Sequence, residues 1–158
     1  MKLGIVVADF NQDVTERLLA SAKKTAHACG VTDLTVMHVP GCFEIPYAAR
    51  LLAAKTDAVA CLGCIIKGET DQNTYLAQAC AIGIQIAQLG TGVPMGFGII
   101  SAPTQELALA RTQGELDRGK EAVLAAVSMA RLKSPATSDG KERGALGDLL
   151  DNIELISL

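Results

Sequence analysis

Nine consecutive residues, Ala58 to Ile66, carry no charged or strongly polar side chain, and they lie between Asp57 and Lys67. Such a run is too short to span a bilayer, which takes roughly 18 apolar residues or more. It is also too uniform for a strand with one wet face. It suits a central parallel strand covered on both sides. The rest of the chain must then supply two covering layers.

The flanking sequence supplies them as alternating strand and helix patterns. Residues 3–8 read as a buried strand, Leu34 to Val39 as a second strand closed by Pro40-Gly41, and Met95 to Ile100 as a fourth. Between them, Asp13-Val14-Thr15-Glu16 is a capping-box pattern that predicts a helix ending at Gly30. A short helix is expected from Ile45 to Ala54, where Pro46 is tolerable only in the first turn. A long Ala-rich helix runs from Asp71 to Leu89, with Gly90 and Gly92 ending it. Two further helical stretches are expected, Thr104 to Gln113 and Asp117 to Leu132. Repeated β-α units imply right-handed crossovers and a parallel sheet with helices on both faces. The expected fold is α/β, a three-layer sandwich around a four-stranded parallel sheet.

Residues 1–133 make one domain of ordinary size, and they balance 12 acids against 12 bases. From Ser134 the composition changes. Ser134 to Lys141 reads as a flexible linker. Beyond it Leu146, Leu149, Leu150, Ile153 and Ile156 fall near helical spacing among acids. The segment 134–158 is thus a linker and an amphipathic acidic tail. It docks on its own subunit or a neighbour, or frays, or it binds another protein. The whole net charge of −3 belongs to this tail. No Lys/Arg cluster marks a nucleic-acid track, and five aromatics give little to stack bases on. With no membrane-length run and no secretory pattern at Met1, a cytoplasmic protein is expected.

Five cysteines, an odd number, argue for free thiols. Cys61 and Cys64 form a CxxC by spacing, but inside the apolar run rather than at a helix start where a thiolate is stabilised. His27 and His38 do not pair with the cysteines at ligand spacing, so no metal site is expected.

Parallel sheets bind ligands beyond the carboxyl ends of their strands. After the first strand, Phe10-Asn11 offers a stacking face and an amide, or plain packing. After the second, Phe43-Glu44 offers an aromatic and a carboxylate, which is a hydroxyl acceptor or a helix-start anion beside the dipole. After the third, Gly68-Glu69-Thr70 opens a helix, as an anion site or as a turn with an N-cap. Arg111 sits late in a predicted helix, as a dipole partner or a phosphate ligand.

Taken in order, Phe10-Asn11, Val39 to Pro46, Leu62 to Thr70, Gly92 to Gly98 and Arg111 resemble the successive motifs of the lumazine synthase family. The most specific stretch is Gly41-Cys42-Phe43-Glu44-Ile45-Pro46, and the resemblance covers about residues 3–133. It implies a flavodoxin-like fold and condensation of 5-amino-6-ribitylaminouracil with 3,4-dihydroxy-2-butanone 4-phosphate. The product is 6,7-dimethyl-8-ribityllumazine, in riboflavin biosynthesis, made without metal or organic cofactor. It also implies pentamers with sites between subunits, some assembled into hollow 60-subunit shells. Carried over, Phe10 stacks on the pyrimidine beside Asn11, and Cys42, Phe43 and Glu44 hold the ribityl chain. Cys64, Ile65 and Ile66 line the ring pocket, and Gly68, Glu69 and Thr70 face the phosphate. Phe97 comes from the adjoining subunit, and Arg111 clamps the phosphate.

Two positions depart from the family's pattern. Gln72 stands where the family keeps its acid/base histidine, and glutamine cannot exchange a proton near neutral pH. Arg118 stands where the family keeps a lysine, within Asp117-Arg118-Gly119. His38 is the histidine nearest this rim, as a substitute proton carrier or a solvent-facing side chain. The expectation is a transferase of reduced activity. The alternative is a shell-forming or ligand-binding relative with weak or no catalysis.

Overall fold

The computed structural model describes residues 1–133, so the linker and tail expected from Ser134 lie outside the described residues. Four strands, β1 (Lys2–Ala8), β2 (Asp33–Val39), β3 (Ala58–Ile66) and β4 (Met95–Ala102), form one sheet in the order β2-β1-β3-β4. Every pairing is parallel. The nine-residue apolar run is β3, an inner strand whose first eight residues are buried.

Five helices cover the sheet: α1 (Gln12–Ala28), α2 (Ile45–Ala53), α3 (Gln72–Thr91), α4 (Gln105–Leu109) and α5 (Arg118–Lys133). Alternate residues of β3 divide the interior into two cores. Ala58, Ala60, Leu62 and Cys64 pack with Leu18 and Ala22 of α1 and with Val123 and Val127 of α5. Val59, Cys61 and Ile65 pack with Ala49 and Leu52 of α2 and with Cys80 and Ile84 of α3. Cys61 and Cys64 therefore face opposite sides of the sheet, as a three-residue step along a strand dictates. All five cysteines are free thiols.

Close backbone approach fixes α5. A Cβ on Gly96 would lie 1.8 Å from the Ala122 carbonyl oxygen, and one on Gly119 would lie 2.4 Å from that of Leu18. Both positions therefore admit only glycine. The outer face of α3 is apolar along its length. Tyr75, Ile82, Ile86 and Leu89 are exposed, and with exposed Ala79 they recur in alternate steps of four and three residues. That spacing is a seam for another helix.

Three sequence expectations need correction. The capping box at Asp13 does not open α1. The helix starts at Gln12 after Asn11, which adopts the left-handed conformation (φ 61°) and makes no side-chain cap. Asp13 instead accepts a hydrogen bond from the Gln105 side chain. The helix expected from Thr104 to Gln113 breaks after one turn and a half. Thr104 caps α4 by accepting from Leu107 N–H, and then short 3-10 turns at Ala110–Thr112 and Gly114–Leu116 follow, with Gly114 at φ 64°. The long helix passes through Gly90 and stops at Gly92, whose positive φ of 65° terminates it. Among the described residues no helix is long and apolar enough to cross a membrane.

Candidate functional site

A cavity of about 620 Å³ opens at the carboxyl edge of the sheet. Three connections build it. From the β1–α1 turn come Phe10 and Asn11, from the β2–α2 turn Pro40 to Glu44, and from the β3–α3 connection Cys64 to Ile66 at the strand end, Gly68 and Thr70 in the loop and Gln72, Asn73 and Leu76 at the helix start.

Backbone and amide bonds hold these connections together. Asp9 N–H donates to the Val39 carbonyl and Phe10 N–H to the Pro40 carbonyl, so the first two turns move as one wall. The left-handed backbone of Asn11 sends its side chain across to the Cys64 carbonyl, 2.8 Å away. That bond explains why Asn11 does not cap its own helix. Phe10 and Phe43 are 71% and 67% exposed, large apolar faces left open at the mouth. A flat ring buried between such faces gains both area and aromatic stacking.

The electrostatics are sparse. Glu44 is the one ionisable oxygen acid on the lining, and the lining holds no lysine, arginine or histidine. Burial pushes the Cys42 thiol up to about 12, helped by Cys80 beside it. Burial pushes Cys64 up to about 11. Both thiols stay protonated at neutral pH and act as small apolar wall groups rather than nucleophiles. The positive end of the site is the start of α3. No side chain caps that helix, and its first-turn residues Gln72 and Asn73 line the cavity beside Gly68 and Thr70, which brings the positive end of the helix dipole to the site. The site can therefore stack a ring, hold hydroxyls on Glu44 and receive an anion at α3.

The structure brings most of the expected residues to this cavity. Phe10, Asn11, Cys42, Phe43, Glu44, Cys64, Ile65, Ile66, Gly68, Thr70 and Gln72 all line it. Four do not. Glu69 is exposed in the same loop but does not line the cavity. Phe97 is 45% exposed on β4, the edge strand. Arg111, expected late in a helix, lies half-buried in the 3-10 turn after α4. Arg118 begins α5 and pairs with Glu121 one turn on. Its neighbour Asp117 is the helix cap: the buried carboxylate accepts from Gly119 N–H, Lys120 N–H and the Ser21 hydroxyl. His38 is also outside the cavity, where its Nδ1 lies 2.8 Å from a carboxylate oxygen of Asp9.

One polar lining residue escaped sequence reasoning. Asn73 stands beside Gln72 in the first turn of α3. Its Oδ1 is the one buried side-chain polar atom without a hydrogen-bond partner among the described residues. An orphaned acceptor of this kind costs about 1–3 kcal/mol. No sequence signal marks it, because a polar residue at a helix start is unremarkable until its partners are counted.

The family model described as 6,7-dimethyl-8-ribityllumazine synthase matches residues 1–134. Proteins of that name are similar over most of their length. The one from Arthrobacter sp. (strain FB24) is 38% identical over 133 residues, 82% of this chain and 83% of the relative. That from Kineococcus radiotolerans is 39% identical over 131 residues, 80% of this chain and 81% of the relative. That from Salinibacter ruber is 40% identical over 136 residues, 83% of this chain and 87% of the relative.

Proposed function

The chain belongs to the 6,7-dimethyl-8-ribityllumazine synthase family, and from that premise we propose that it is the transferase of riboflavin biosynthesis that condenses 5-amino-6-ribitylaminouracil with 3,4-dihydroxy-2-butanone 4-phosphate. The observation that carries this reading is convergence. Three connections far apart in sequence, each carrying a family motif, line one cavity of suitable size at one sheet edge.

The residues then take these roles. Phe10 stacks on the pyrimidine, with Cys64, Ile65 and Ile66 as the wall behind it. Glu44 accepts from ribityl hydroxyls, with Cys42 and Phe43 flanking the chain. Gly68, Glu69 and Thr70 present the α3 terminus to the phosphate. The amine of the uracil attacks the ketone, water and phosphate leave, and the ring closes. Gln72 hydrogen-bonds at the reacting centre but carries no proton, so turnover rests mainly on holding the two substrates together.

The active unit is a homo-oligomer, a pentamer. Phe97, Arg111 and Arg118 lie outside the protomer's cavity, and a neighbouring copy supplies them. The unpartnered seam on α3 supports this, since such a face is stable only against another helix. Assembly of pentamers into a 60-subunit shell and a cytoplasmic setting belong to the same reading. The family match ends at residue 134, which supports treating 134–158 as a linker and interaction tail added to the domain. A relative that only assembles, or only holds ligand, is the less favoured reading, because the ring, ribityl and phosphate positions keep their residues.

Mixing both substrates with the protein tests the proposal: lumazine must form faster than in the protein-free mixture, and an equal rate would sink it. Gln72→His should then raise kcat by about 10²-fold, the lower end of general acid–base catalysis. An unchanged kcat would place the limit in geometry rather than in the missing proton carrier.

A further inference from the structure

The orphaned amide of Asn73 lies where chemistry is short of polar groups. It lines the cavity next to Gln72, with the apolar Leu76 one turn further along the same helix. Its Oδ1 has no partner within the protomer. Native proteins rarely leave a buried acceptor unpaired, and those that persist mark a place where a ligand or water completes the bond. Oδ1 itself is buried in the protomer. A turn about χ2, a soft torsion in asparagine, brings it to a donor in the cavity.

We propose that Asn73 is a substrate-positioning residue that accepts a hydrogen bond from the primary amine of the aminouracil. This rests on the functional reading above and names which atom of that substrate the site recognises. An amide oxygen is not a base near neutral pH, so it orients the amine without removing its proton. Taking one N–H leaves the nitrogen lone pair free to attack the ketone. Condensation then converts the amine and ketone to an imine and water, and the nitrogen loses both hydrogens. The bond to Asn73 therefore exists with the substrate and is gone with the product. Asn73 compensates in part for Gln72: where proton transfer has no carrier, the nucleophile is at least aimed.

The test is calorimetric titration of the intact oligomer with 5-amino-6-ribitylaminouracil and, separately, with the lumazine product. In Asn73→Leu, which keeps the shape and removes the acceptor, the Kd for the aminouracil should rise about five- to tenfold, as for one lost neutral hydrogen bond. The Kd for the product should stay within about twofold. The melting temperature of the free protein should hold or rise, since the variant deletes an unpaired buried acceptor. Asn73→Ala, which does not refill the wall, should show the same split between substrate and product. Equal weakening of both ligands would assign Asn73 to the ring or ribityl chain and overturn the amine contact. Unchanged affinity for both would make the amide structural and overturn it too. Absence of saturable binding by the unmodified protein would instead sink the functional reading, and this inference with it.

Discussion

Helices α1 and α3 cover the same sheet from opposite faces, and they are finished differently. The outward face of α1 carries Asp13, Glu16, Arg17, Lys23 and Lys24, all exposed, while Val14, Leu18 and Ala22 turn inward. α3 has no charged residue between Gln72 and Thr91, and its outward face carries Tyr75, Ile82, Ile86 and Leu89. α1 is built to meet water. α3 is built to meet protein, and its first turn is also a wall of the cavity. In the proposed oligomer one helix thus joins the cavity to the subunit contact, so losing the assembly should disturb the site.

The largest expected effect breaks the comparison at its centre. Ile86→Asp places a charge in the α3 seam and should reduce the assembly to protomers in light scattering, with loss of turnover. Lys24→Glu on α1 should leave the mass unchanged. An intact oligomer in the α3 variant would remove the distinction between the helices. A smaller effect sharpens it through stability. Leu18 is fully buried, and Leu18→Ala should cost about 2–5 kcal/mol in denaturant unfolding. Leu89 is 74% exposed, and Leu89→Ala made in the dissociated Ile86→Asp background should change stability by less than about 0.5 kcal/mol.

The smallest effect is alkaline. The core under α2 and α3 holds Cys42 and Cys61, pushed up to about 12, and Cys80, pushed up to about 11, chiefly by burial. On the α1 face Cys64 is the one fully buried cysteine, at about 11. Unfolded thiols titrate near the ordinary value of 9.0. The stabilisation from keeping these thiols neutral is therefore complete below pH 9 and drains away as pH rises towards 12. For fully buried Cys61 the loss is about 1.4 kcal/mol per pH unit in that window. Cys61→Ala should flatten the fall of unfolding free energy with pH above 9, and an unchanged slope would disprove the assignment.

Much of this was legible in the sequence, for a physical reason. A nine-residue apolar run has few structures open to it, and it fixes an inner parallel strand; the carboxyl edge and the three connections that line the site then follow from topology. The rest was hidden because it depends on distance between chain segments. Asp13 looked like a cap because local spacing cannot show that Asn11 adopts a left-handed conformation and bonds to Cys64 across the sheet edge. The stretch after Thr104 looked helical because periodicity is blind to the turn at Gly114. Arg111 and Arg118 looked like members of the cavity, which neither lines in the protomer, because sequence order does not say on which side of the fold a residue will lie. Asn73 looked ordinary because an unpaired acceptor is visible only after every neighbour has been placed.

The position of Phe97 on an edge strand, away from the cavity its motif belongs to, has a genetic consequence. On the in-trans reading, two defective alleles can repair each other. A chain lacking the Phe10 side chain still offers Phe97 to its neighbour, and a chain lacking the Phe97 side chain still offers a whole cavity. Co-assembled, the two yield some junctions where both partners are sound, so a mixed population would make product that neither parent makes alone.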